Sequence, residues 1–107
     1  SKYGMSMCVL GMAEELKKKK IAVNALWPKT VIQTAAVQNL LGGKTVMDKG
    51  RTPDILGDAA YKIFQKQSSE CTGNFFVDED FLKGEGIEDF SQYSEASPQD
   101  LMPDFFL

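Results

Sequence analysis

The stretch that most constrains this chain is Ile21-Ala22-Val23-Asn24-Ala25-Leu26-Trp27, which runs straight into Pro28, Lys29 and Thr30. It is short, apolar apart from Asn24 and without clean alternation, the pattern of a strand buried on both faces. Pro28 has no N–H to give a sheet, so the strand stops there. A strand of this kind needs helices over both of its faces and other strands beside it. The flanking sequence supplies the helices.

Upstream, Met5, Cys8, Val9, Met12, Ala13 and Leu16 fall on one face of a helix, with Glu14 and Glu15 outside it. Lys17 to Lys20 close the helix, where cations suit the negative end of its dipole. The apolar pattern is already running at the first residues, with no capping residue ahead of it, which reads as a helix entered partway. Downstream, Val31, Ile32, Ala35, Ala36, Leu40 and Leu41 predict a second helix, stopped by Gly42-Gly43. Lys44 to Arg51 reads as a polar loop. Thr52-Pro53-Asp54 predicts a helix start through a capping hydroxyl, proline in the first turn and an acid beside it. Ile55, Leu56, Ala59, Ala60, Ile63 and Phe64 give that helix a buried face.

Gln67 to Thr72 reads as a loop, and Gly73 to Asp78 as a second strand. From Glu79 the chain is acidic and rich in turn residues, and is expected to wrap the surface. The boundaries are one partial domain over residues 1–107, with an α/β part at 1–83 and an acidic C-terminal tail at 84–107. Strand, helices, strand is a crossover unit, which pairs two strands in parallel. Two strands make no stable sheet alone, so more sheet is expected, ahead of the first helix.

With 107 residues, 43% hydrophobic and 25% charged, the composition is globular. A net charge of -3 lacks the basic footprint of a nucleic-acid binder. There is no histidine and only Cys8 and Cys71, which excludes Cys/His zinc sites and reads as two reduced, partly buried thiols. No run of about 18 apolar residues is present to span a membrane. Gly43-Lys44-Thr45 follows a helix and lacks the glycine five residues earlier that a phosphate loop needs. Asp78-Glu79-Asp80 fails as a calcium loop because Leu82 and Lys83 occupy two of its required positions. No glycine-rich dinucleotide fingerprint occurs.

Lys2 with the helix after it, Val23-Asn24-Ala25-Leu26-Trp27-Pro28, and Thr72-Gly73-Asn74-Phe75-Phe76-Val77-Asp78 together resemble the C-terminal half of a short-chain dehydrogenase/reductase. The similarity covers essentially the whole chain. It implies an α/β fold: two parallel strands with helices, the C-terminal part of a doubly wound, Rossmann-type parallel sheet whose N-terminal half is missing here. In that family, Tyr-x-x-x-Lys places a tyrosine and a lysine one helical turn apart. Lys2 matches the lysine, as catalytic and ribose-binding residue; the tyrosine would fall four residues earlier, before Ser1. The lysine lowers the tyrosine's pKa, so that the phenol exchanges a proton with the substrate oxygen near neutral pH.

Pro28 matches the proline of the family's turn at the cofactor, with Lys29 in place of the usual glycine. Thr30 lies in the same loop, and Val31 would offer its backbone to the nicotinamide carboxamide. Gln33 stands where the family has a threonine, with Thr34 one residue later. Val31 to Leu41 would form a mobile lid over an apolar, lipid-like substrate.

The resemblance implies a parent that moves hydride between NAD or NADP and a carbonyl or alcohol, with no cofactor held by this chain alone. It suggests a peroxisomal or mitochondrial setting and a homo-oligomer through the helix at 2–19. The alternatives are a non-catalytic interaction or dimerisation module lacking the cofactor site, and a small α/β domain with no site.

Overall fold

A computed structural model describes residues 2–40 and 43–104, backbone only for residues 2, 38, 40, 43 and 44. Two short strands form its centre, β1 (Ala25–Trp27) and β2 (Phe75–Val77). They pair in parallel, with Ala25 opposite Phe75, Leu26 opposite Phe76 and Trp27 opposite Val77. The α/β architecture and the parallel pairing are as the sequence predicts.

The first strand is shorter than expected: before Ala25 the Val23 carbonyl still accepts the Gly73 amide at 2.8 Å, and side chains supply further bonds. The Val23 amide donates to the Thr72 hydroxyl at 3.0 Å, and the Asn24 carboxamide accepts from the Asn74 amide at 3.0 Å and donates to the Cys71 carbonyl at 3.0 Å. Gly73 makes the turn into β2 with φ 74°, a left-handed conformation that glycine adopts without strain. A Cβ there would lie 3.7 Å from that of Ala13, so this turn is where the first helix meets the sheet.

That helix, α1 (Lys2–Leu16), runs on into a 3-10 turn over Lys17–Lys19. Its end is closed by Lys20 at φ 61° and by the Ile21 amide reaching back to the Leu16 carbonyl at 3.2 Å. The expected buried face is largely exposed. Ala13 alone is buried; Val9 and Leu16 are half-buried, while Met5, Cys8 and Met12 face out, as do Tyr3, Met7 and Leu10. The apolar residues spread around the helix, and this chain covers only one line of them. Cys8 is correspondingly an exposed thiol, and Cys71 a buried one.

After β1 the chain stays extended longer than the sequence suggests. Thr30 bridges Pro103 antiparallel, and Ile32 bridges Arg51 in parallel, so Val31 and Ile32 lie outside any helix. The β-branched pair suits this extended backbone. The Thr34 hydroxyl then accepts from the Val37 amide at 3.3 Å and caps α2 (Ala35–Leu40). The expected stop at Gly42 lies outside the described residues. A further helix, α3 (Gly43–Met47), replaces the first half of the expected polar loop. Among its described side chains it buries Val46 and half-buries Met47, too few apolar positions to show a period.

The next helix, α4 (Asp54–Phe64), forms where the sequence predicts and buries Ile55 and Ala59 completely, with Leu56, Ala60 and Ile63 half-buried; Phe64, expected on the buried face, is exposed at the helix end. Its expected hydroxyl cap does not form: the Thr52 hydroxyl is buried without a partner among the described residues. Backbone bonds close the first turn instead, with Leu56 and Gly57 both donating to the Pro53 carbonyl.

The stretch after Glu79 is corrected from a surface wrap to core. Here α5 (Asp78–Gly84) buries Leu82 fully, and Tyr93 is buried beyond it. Leu82 and Tyr93 join Ile32, Ile55 and Ala59 in one cluster, flanked by Leu26, Phe81, Ile87 and Phe90. A second cluster joins Val31, Val37 and Val46, with Met47 and Met102 against it. The residues expected to form a lid therefore supply core positions.

Candidate functional site

Both strands end at the same edge, Trp27 beside Val77; β1 runs into the Pro28 turn and β2 directly into α5. In open α/β sheets, ligands collect at this carboxyl edge. A buried carboxylate, at the first residue of α5, ties that helix to the Pro28 turn. Asp78 Oδ1 accepts the Lys29 amide at 3.0 Å and the Glu79 amide at 2.6 Å, so the residue after Pro28 is held by the residue after β2. Asp78 is almost wholly buried, and its Oδ2 has no partner among the described residues. Burial pushes its carboxyl up; the two amides and the nearby Arg51 pull it back only in part.

Glu79 collects the cations. Arg51 Nη2 lies 2.7 Å from Oε1, and the Nζ atoms of Lys83 and Lys29 lie 3.1 and 3.3 Å from Oε2. Burial pushes this carboxyl up as well, but Arg51, Lys83 and Lys29 outweigh it and hold it at about 2. Lys29 also meets Asp80 at 3.2 Å; that bond and Glu79 raise its pKa. The Arg51 guanidinium is buried and lies 5.2 Å over the Phe90 ring. The polar character of the edge is thus internally neutralised.

The residues matched to the cofactor turn lie within one four-residue stretch after β1, apart from Lys2. Lys2 opens α1, and its side chain lies outside the described residues. Pro28 ends β1 as expected. Thr30 is buried, and its hydroxyl faces the Val31 carbonyl at 3.5 Å. Val31 is buried with both backbone groups in use: its N–H donates to the Met102 carbonyl at 2.9 Å, and its carbonyl accepts the Arg51 amide at 2.8 Å. Gln33 does not replace the family's threonine as a ligand; its carboxamide donates to the carbonyls of Met47 and Gly50. Thr34 is taken by its capping role. Both backbone groups of Val31 are thus occupied, and a nicotinamide carboxamide could meet its N–H only by taking the place of the Met102 carbonyl.

Asp78, Glu79 and Arg51 are absent from the sequence-predicted site. The only sequence signal for the acids was their run directly after a strand, and that run also fits a solvated face. Arg51 carried none. Among the described residues no group of His, Cys, Asp and Glu could hold a metal ion, and no helix is long and apolar enough to cross a membrane.

No family model matches the chain. Among curated proteins, it is 59% identical over all 107 residues to hydroxysteroid dehydrogenase-like protein 2 of Homo sapiens, and equally to that of Danio rerio. The chain spans about a quarter of the length of these relatives. Among solved structures, a short chain dehydrogenase of Mycobacterium thermoresistibile superposes with a TM-score of 0.84 at 47% identity, over 99% of this chain and 38% of that one. A putative dehydrogenase from Xanthomonas campestris superposes with a TM-score of 0.85 at 40% identity, over 97% of this chain and 38% of that one. In sequence and in backbone, the chain matches part of the Rossmann-type short-chain dehydrogenase fold and is similar along its whole length to hydroxysteroid dehydrogenase-like protein 2.

Proposed function

We propose that this chain is a segment of an NAD(P)-dependent oxidoreductase acting on a carbonyl or alcohol. In that enzyme it supplies the Pro28 turn beneath the nicotinamide and, through Lys2, the lysine that holds the ribose and activates a tyrosine lying outside this sequence. The observation that supports this reading is the whole-length similarity to dehydrogenases, joined to the position of Pro28 just past the carboxyl end of β1. A bound nicotinamide would supply the hydride; the chain's own part is to position the turn and the lysine. The apolar residues after Pro28 are used in packing here, so a lipid-like substrate is supported by the names of the relatives alone. Exposed Tyr3, Met7 and Leu10 on α1 await a cover, either the rest of such an enzyme or a second copy in a homo-oligomer.

The test is a graft. Residues 1–107 replace the matching segment of human hydroxysteroid dehydrogenase-like protein 2, and NADH and NADPH are titrated by calorimetry into the graft, its parent and the chain alone. The graft is expected to bind the cofactor its parent binds, the chain alone neither, and Lys2→Ala is expected to weaken the graft's affinity. A folded graft that binds no cofactor while its parent does would sink the proposal, as would tight binding by the chain alone. The second reading, a non-catalytic dimerisation module, is favoured by the exposed apolar residues of α1. It predicts a dimer of the isolated chain that Leu10→Glu dissociates, as measured by light scattering.

A further inference from the structure

We infer that residues 102–104 form a strap that holds the Pro28 turn closed, and that a nicotinamide engages Val31 only by displacing it. The inference rests on the cofactor reading above and adds its regulation. Three backbone contacts define the strap: the Met102 carbonyl accepts the Val31 amide at 2.9 Å, the Asp104 amide donates to the Lys29 carbonyl at 2.9 Å, and Pro103 stands opposite Thr30 in an antiparallel bridge. The Met102 amide is anchored separately, on the Lys49 carbonyl at 2.9 Å, and the Met102 side chain packs on the cluster of Val31, Val37 and Val46.

The two polar groups of Val31 are not equally available. Its carbonyl is taken by the Arg51 amide, and Gly50 approaches so closely that a Cβ there would lie 2.7 Å from that oxygen. That side is fixed by backbone and core. The N–H side is held only by the strap, whose residues are half-buried or exposed and whose Pro103 has no donor to add. Met102, as the residue before a proline, is restricted to extended conformations, which keeps the strap shaped for its groove. A carboxamide oxygen can replace the Met102 carbonyl one acceptor for another, leaving no buried donor unpaired. Met102 is half-buried and Pro103 exposed, so a displaced strap has solvent beside it to satisfy that carbonyl.

The experiment is amide hydrogen exchange by NMR on the full chain, with the Arg51 amide as internal reference. In the double variant Met102→Ser/Asp104→Pro the strap loses its apolar anchor and its N–H to Lys29. Exchange at Val31 is expected to rise about tenfold, the equivalent of roughly one hydrogen bond, while exchange at Arg51 holds. No rise at Val31, or an equal rise at both amides, overturns the strap as a separable device.

The second arm is the graft described above, titrated with NADH. There the double variant is expected to bind about tenfold tighter than the unmodified graft. Equal affinity overturns the gate and leaves the cofactor reading standing. No binding in either graft overturns the reading and the gate with it.

Discussion

Glu79 holds three cations on one half-buried carboxylate, and its pKa of about 2 gives that arrangement a signature in acid. A carboxyl whose folded pKa lies below its ordinary 4.5 stabilises the fold above pH 4.5, and that stabilisation is lost as pH falls towards 2. Asp78 works in the opposite sense. Burial raises its folded pKa, so its charged form is the costly one and its contribution falls as pH rises. Glu79→Gln is therefore expected to lower the melting temperature at pH 7 and to converge on the unmodified chain near pH 2. Melts followed by circular dichroism from pH 2 to 7 check this, and a difference independent of pH would refute the assigned ion-pair role. Arg51 would also suffer at neutral pH, because its buried guanidinium would lose its ion pair with Glu79.

Some elements were legible because their signals are local. The proline at 28 ended β1 where it was expected, and the apolar period of Ile55, Ala59 and Ile63 marked α4. The segment from 78 to 93 was not legible. Its acids face Arg51, 27 and 28 residues earlier in the chain, and Leu82 and Tyr93 are too far apart to show a common face. The same holds at the site. Pro28, Thr30 and Val31 were singled out by the resemblance alone, whereas the contacts that occupy Val31 come from Met102 and Arg51, which no spacing rule connects to it. Leu82→Ala tests the corrected role of α5. As a core residue with no exposed surface, it should cost about 2–5 kcal/mol when truncated. A urea titration that moves by less than about 0.5 kcal/mol would return this segment to the surface role.

For the whole molecule, surface area carries the argument. A compact chain of 11.9 kDa exposes roughly 5,900 Å², whereas this one exposes 7168 Å². Its radius of gyration is 15.2 Å, against about 13 Å for a self-contained domain of this length. The excess is apolar in part, on α1 and around Tyr61, Phe64 and Phe75. The isolated chain is therefore expected to melt broadly, with a midpoint below the ~45 °C at which ordinary small domains begin to cluster. It should also bind a hydrophobic dye before melting. A sharp transition above that temperature would show the chain to be self-sufficient.

The pairing of Asn24 with Asn74 bridges 50 residues. Closing a loop of that length costs about 3.5 kcal/mol before any contact repays it. A sheet three residues long cannot recover that alone, so β1 and β2 should come together late, after α4 has formed and gathered Leu26 and Leu82 around it. On the ribosome, β1 would emerge fifty residues ahead of its partner and wait exposed, in need of a chaperone during that interval.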